Sequence, residues 1–351
     1  MKNIYKLLFF IAFIPKLGFA IDEKFAFSKE KNISKSFDVN ADAQVDITNS
    51  YGNINVYLWD ENKISIQVTI KVSGNNEKKT MERLNDIEIS FQSSSSKVIA
   101  ATEFSGKNWS GNNNLSYEIN YVVKIPKNGS IDLNNKYGNI SVDKLNGSSA
   151  INCRYGSINL GQFNHKSNNI TIAYSNDSSI NFIDKINLQS QYSDVDFQKV
   201  NQINIEGNYN TFNFQNVGIL NLSSNYTKIK ATSMQKAAID GDYLTLKLGE
   251  IGTSSSVNSN YSDIQLALSN KIEAIVINGN YSNSKISCNS DTAFDINVNL
   301  KYGSFKDVLG IKYTEKSEKN NSKSFAGYHI SQGKSKINIT TNYGNVQLLT
   351  K

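Results

Sequence analysis

Apolar and polar residues alternate in short runs along this chain, and the alternation restarts at a nearly fixed interval. Ile131 and Leu133, Ile203 and Ile205, Leu220 and Leu222, and Ile275 and Ile277 are the apolar positions of four such runs. A period of two buries one face and wets the other, which predicts strands. Most runs lead into a tyrosine. Beyond it the apolar positions change parity, falling three and five residues on, as at Ile140 and Val142 or Ile264 and Leu266. A parity change predicts a corner at the Tyr-Gly-Asn step, where Gly, Ser or Asn would take the positive φ or tight turn. Two residues before the tyrosine, Gly207, Ser224, Gly241, Ser259 and Gly279 are small, which leaves room for the ring or for neighbouring backbone.

The tyrosines that mark the repeat are Tyr137, Tyr155, Tyr174, Tyr192, Tyr209, Tyr226, Tyr243, Tyr261, Tyr281 and Tyr302, spaced roughly 17 to 21 residues apart. Tyr51 and Tyr343 lie outside that spacing but carry the same local words, as Asn49-Ser50-Tyr51-Gly52-Asn53-Ile54 and Thr341-Asn342-Tyr343-Gly344-Asn345-Val346 show. One unit of two short strands and a corner cannot bury its own apolar face. Stacked copies can, because each coil pairs its backbone with the coils above and below at about 4.8 Å and shares a continuous core. The expected fold is all-β, a single-stranded parallel β-solenoid or β-helix of about 17–21-residue coils. Around a dozen coils make a rod on the order of 55 Å long. A β-propeller needs about 40 residues per blade, which leaves the single-tyrosine period unexplained. The tyrosines are expected to form a structural ladder at the corner, with a sugar-stacking platform as the competing role.

Two stretches depart from the period. Between Tyr51 and Tyr137 the chain reads as longer strands, Ile64 to Val72 and Tyr117 to Ile125, separated by a charged segment. There Glu77 to Asn85, with Met81 and Leu84 at helical spacing and Asn76 as a cap, predicts one short helix. Such a segment suits an N-terminal cap, since an open β-stack needs a polar edge cover. Ser105 to Asn114, with Trp109, reads as an exposed loop. The second departure, Tyr313 to Ser324, is charged and aperiodic and predicts a mobile loop ahead of the last coil, Lys336 to Val346, which closes the stack. The expected division is a leader over 1–20, an N-terminal coil with capping strands and the helix over 21–130, and solenoid repeats over 131–351 with a polar loop near 313–324.

The start of the chain sets the compartment. Basic Met1 to Lys6, the apolar run Leu7 to Ile14, and small Gly18 and Ala20 suit a secretory signal peptide cleaved after Ala20. No cysteine follows the apolar run to anchor a lipid. Counting the whole chain, the formal net charge is +6. The leader holds Lys2, Lys6 and Lys16 and no acid, so its removal lowers this to about +3, too little to indicate a basic partner-seeking surface or a nucleic-acid partner. Hydrophobic residues make up 39% and charged residues 19%, and only 2 are Pro. Asn fills the gap at roughly one residue in seven, a bias that fits turns and polar strand faces.

Few residues suggest chemistry. Cys153 and Cys288 are far apart and read as free buried thiols, and His165 and His329 lack partners at metal-ligand spacing. A polysaccharide lyase or hydrolase needs two carboxylates about a bond, or acids holding a cation. Asp194 and Asp196 form an outward pair whose neighbours by repeat alignment are Asn176 and Ser178, then Thr211 and Asn213. Asp177 would have to shift register to join them. Asp240 and Asp242 share one coil, and Asp263 is isolated. No catalytic residue, cofactor site or metal site is assigned on this basis.

At Asn49-Ser50-Tyr51-Gly52-Asn53-Ile54-Asn55-Val56, followed by Trp59-Asp60 and the Ile64 to Val72 strand, the chain resembles the DUF4097 family, of unknown function and with adhesin as its working label. The closing Gly333-Lys334-Ser335-Lys336-Ile337-Asn338-Ile339 with Tyr343-Gly344-Asn345-Val346 is similar to that family's terminal coil. The Asn- and Lys-rich usage is similar to that of Bacteroidetes-type envelope proteins. The resemblance implies a β-solenoid exported to the periplasm, cell surface or medium, and it carries over no functional residue. The expected function is that of a non-enzymatic adhesin or envelope scaffold whose partners are surface glycans or envelope proteins. A carbohydrate-active β-helix enzyme, or a periplasmic partner of an envelope signalling system, is the alternative.

Overall fold

The computed structural model describes residues 25–105, 115–333 and 335–351. The expected leader and the Trp109 stretch of the predicted loop lie outside the described residues. Twenty-six strands and one helix make up the described chain, and the architecture is an all-β solenoid with a short helix.

Each coil has a strand before the tyrosine, a corner, and a strand after it. Ser149–Arg154 and Ile158–Phe163 flank Tyr155, for example. The strands before the corner pair in parallel into one wall and those after it into another, the two walls being parts of a single continuous sheet. In the central coils the second turn disappears, so single strands such as Asp194–Asn208 and Thr211–Asn225 run from one corner to the next. The inward side chains lie in continuous columns. Val195 pairs with Phe212, Phe197 with Phe214, Val200 with Val217, Ile203 with Leu220 and Ile205 with Leu222, all buried. Each such side chain contributes about 1.5–3 kcal/mol of burial, and neighbouring coils supply the other wall, so one coil has little stability alone.

At both ends the spatial order of coils departs from the sequence order. The first coil, Gln44–Ser50 and Ile54–Trp59, lies between Ser130–Lys136 and Ile140–Leu145 on one side and Lys97–Phe104 and Leu115–Pro126 on the other. The last coil, Lys336–Asn342 and Val346–Thr350, does not close the stack as expected. It sits between Ala274–Asn280 and Phe294–Lys301, and likewise between Asn283–Cys288 and Phe305–Asp307. Repeat periodicity gives the coil geometry but not the coil order, because every coil offers the same apolar columns to either neighbour.

Antiparallel strands cover both ends. At the N-terminal end Lys63–Gly74 pairs with Leu115–Pro126, and Phe27–Asp38 with Lys63–Gly74. The helix Glu77–Asn85 packs on these strands, and Asn76 Oδ1 accepts from Lys79 N at 3.0 Å as its cap. Thr80 and Leu84 face inward, whereas Met81, expected beside Leu84, is exposed. At the other end the expected mobile loop is instead a hairpin of Lys312–Lys319 and Ser322–His329. Its second strand pairs with Phe294–Lys301, and its turn holds Asn320 at φ 50°. The outer strand is wet on both faces, so it carries no alternation and reads as a loop. Its lysines and glutamates protect an open edge against further pairing.

Candidate binding faces

Twelve tyrosines meet at the corners in the order Tyr51, Tyr137, Tyr155, Tyr174, Tyr192, Tyr209, Tyr226, Tyr243, Tyr261, Tyr281, Tyr343, Tyr302. The centroid spacings run from 4.6 to 5.2 Å, and all the stacked pairs are within 16° of parallel. The positive φ expected on the following Gly, Ser or Asn is carried by the tyrosine itself, at 50–64° in all twelve. That conformation costs a residue with a Cβ roughly 1–2 kcal/mol, and a ring pair returns about 0.5–1.5 kcal/mol. Only the strained backbone turns the ring outward onto its neighbours. Between the two ends each ring has another on both faces, so its exposed surface is an edge with a hydroxyl, with no free face on which a sugar could stack.

Where the residue after the tyrosine is not glycine, it is buried inside the corner and bonds across coils. Ser175 N donates to Ser193 Oγ at 3.1 Å, Ser193 N to Asn210 Oδ1 at 3.1 Å, and Ser262 N to Ser282 Oγ at 3.1 Å. Where this residue is larger, the one two before the tyrosine is small, as with Gly207 and Asn210, Ser224 and Thr227, or Gly241 and Leu244, and the Ser224–Thr227 hydroxyls pair at 2.6 Å. Where it is glycine, the buried residue two before the tyrosine is larger: Asn49, Asn135, Cys153, Leu300 or Thr341.

The outer face of the wall before the corner is a lattice of amides and hydroxyls. Asn187 Nδ2 donates to Asn169 Oδ1 at 3.0 Å, Asn204 to Asn187 at 2.9 Å and Asn221 to Asn204 at 2.8 Å. Beside the tyrosines a second file runs through Asn208, Asn225, Asp242, Asn260 and Asn280, in which each backbone N–H from Asn225 onward donates to the side-chain oxygen of the member one coil before it. Two adjoining hollows, of about 510 and 440 Å³, open on this face and share Gln189, Glu206 and Ser223. Each ladder amide keeps an N–H and a lone pair for a ligand, so the face offers donors and acceptors at every coil step.

Of the sequence-derived acids, the structure brings only Asp177 up to the Asp194 and Asp196 pair. Asp177 takes a left-handed φ of 56° and absorbs an extra corner residue, so Ser178 pairs with Val195 and Ser179 with Asp196. Repeat alignment missed this one-residue shift, which sets Asp177 rather than Asn176 level with Asp194. Asp196 accepts from Asn213 at 2.8 Å, and Asp242 from Asn260. Among the described residues no group of three His, Cys, Asp or Glu side chains could hold a metal ion. Nδ1 of buried His329 lies 2.7 Å from Thr292 O, while exposed His165 accepts from Ser167 N through Nδ1 at 3.0 Å.

Cys153 and Cys288 are free and buried, and burial pushes their thiols up to about 12 and about 11. Thiolate is the reactive form. Neither thiol is expected to react with an aromatic disulfide reagent at pH 8 until denaturant is added, when both should react. These raised values also predict a loss of stability as pH rises, beginning near the ordinary thiol value of 9.0 and continuing to about 12.

No family model matches the chain, and no curated protein matches it. Similar solved structures include a candidate cell adhesion protein from Clostridium sporogenes, 12% identical over 92% of this chain and 100% of that one, with a TM-score of 0.20. A candidate adhesin from Bacteroides fragilis is 9% identical over 92% of this chain and 97% of that one, with a TM-score of 0.26. A candidate lipid binding protein from Parabacteroides distasonis is 10% identical over 90% of this chain and 96% of that one, with a TM-score of 0.30.

Proposed function

We propose that this protein is a non-enzymatic solenoid of the cell envelope or surface, an adhesin or scaffold that presents its amide-lined face to a hydroxyl-rich, repetitive partner such as a surface glycan. The observation that carries this reading is the asparagine ladder running through Asn169, Asn187, Asn204 and Asn221 beside two shared hollows. Shallow contacts repeated at a fixed step are weak singly and add along a polymer. No described helix is long and apolar enough to cross a membrane.

Ser223 is outward and lines both hollows. Ser223→Trp is expected to abolish retention on a panel of immobilised neutral glycans while leaving thermal unfolding unchanged. Retention equal to the unaltered protein on every glycan it binds would remove the face from the reading. Release of reducing or unsaturated sugar ends would remove the non-enzymatic assignment. Cell fractionation with surface proteolysis tests the location, and a wholly periplasmic protein cannot adhere directly to other cells.

A further inference from the structure

The outer face of the other wall, after the corner, has a different chemistry. We propose that it is a second binding site, for a linear acidic polysaccharide. The register places Lys230 beside Lys247, Lys247 beside Gln265, Gln265 beside Lys285, Lys285 beside Gln347 and Gln347 beside Lys306, in one column along the rod. All four lysines are exposed, and none of their ammonium groups has an ion-pair or hydrogen-bond partner among the described residues. The nearby acid Glu250 is held by Lys351 at 3.4 Å; the adjacent column holds Asp194 and Asp263, and the lysine column itself reaches Asp196 two coils before Lys230, so the run from Lys230 to Lys306 is the basic stretch.

Two residues further along each strand, Gly249, Ala267 and Ser287 form a lane of small side chains, and with Lys230, Lys247 and Lys285 they line a hollow of about 350 Å³. The lane is constrained by the fold, since a Cβ at Gly249 would lie 2.0 Å from Thr232 O. Gln347 and Leu349 reach this face because the last coil is inserted between the Tyr281 and Tyr302 coils. A polymer lying along the lane therefore meets a cation after one coil step and then after every second step, at roughly 4.8 Å per step. One step is close to the advance of one sugar along an extended chain, so a polymer with one carboxylate per sugar matches the column.

Charge density favours this class over nucleic acid. Duplex DNA carries a charge every ~1.7 Å and is held by many more cations. Single strands are held by aromatic stacking as well, and no aromatic residue lines this hollow. Exposed ion pairs contribute about 0–1 kcal/mol each, so binding must come from several lysines together and must weaken with salt.

The test uses polygalacturonate as the probe, with dextran and single-stranded DNA alongside, in affinity electrophoresis at low and high salt. The unaltered protein is expected to be retarded by polygalacturonate at low salt and not by dextran. The triple variant Lys230→Gln, Lys247→Gln, Lys285→Gln should bind roughly ten- to a hundredfold more weakly. A charge-matched control, Lys166→Gln, Lys271→Gln, Lys319→Gln, alters exposed positions outside this column and should bind as the unaltered protein does. Equal loss in both triple variants would reduce the effect to net charge and overturn the site. No retardation at low salt, or tighter binding of DNA than of polygalacturonate, would also overturn it. Ser223→Trp, on the opposite wall, should leave this binding unchanged, so the two faces stand or fall separately.

Discussion

Deleting residues 335–351 is expected to unfold the whole C-terminal end of the rod and not merely to shorten it by one coil. In a solenoid whose last coil is outermost, truncation exposes one interface and leaves the next coil paired. Here Lys336–Asn342 is the parallel partner of both Ala274–Asn280 and Phe294–Lys301, and Val346–Thr350 of both Asn283–Cys288 and Phe305–Asp307. Removing it takes Ile337, Ile339, Val346 and Leu348 from the core, at about 1.5–3 kcal/mol each. It also separates the Tyr302 coil and the Lys312–His329 hairpin from the rest of the stack. Amide hydrogen exchange should show loss of protection across 294–329 as well as along the uncovered 274–288. Full protection of 294–301 in the truncated protein would show that the outer coil holds itself. The single change Ile339→Ala should produce a smaller version of the same pattern, at about 2–5 kcal/mol.

The architecture was legible because its cause is local. Alternation at Ile203 and Ile205, and its parity change across Tyr209 to Phe212 and Phe214, is imposed by the core each coil shares with the next. The helix was legible in the same way, since Asn76 and the charged run after it satisfy local rules of capping. The coil order was not, because Tyr343 carries the same words as Tyr137 and nothing in those words says which coil it joins. The hairpin at Lys312–His329 was hidden by its own exposure, as an edge strand has no buried face to set a period. The column of lysines was hidden for a third reason. Lys230, Lys247, Lys285 and Lys306 are separated by uneven stretches of sequence and are diluted in a nearly balanced charge, and only the pairing register brings them into line.

The corner carries the second large effect, and repeat alignment gives the wrong answer for it. Two residues before the tyrosine, the central coils hold Ser190, Gly207, Ser224, Gly241 and Ser259, so Gly207→Ser looks like an exchange the repeat already makes. The backbone differs, however. Gly207 has φ 147° and Gly241 has φ 145°, values that side chains rarely adopt, and a Cβ at Gly207 would lie 1.7 Å from Ser190 O. That oxygen belongs to the neighbouring coil's backbone, which is fixed in its ladder and cannot swing aside as a flexible side chain could. Gly207→Ser is therefore expected to cost about 3 kcal/mol or more, as strain and overpacking add at one site. The reverse change, Ser224→Gly, loses the 2.6 Å hydroxyl pair with Thr227 and should cost only about 1 kcal/mol. Chemical denaturation of the two variants side by side checks the asymmetry, with near-ultraviolet circular dichroism reporting the tyrosine stack. Equal stabilities would mean that the corner accommodates either residue, and the size pairing across it would then carry no energetic weight.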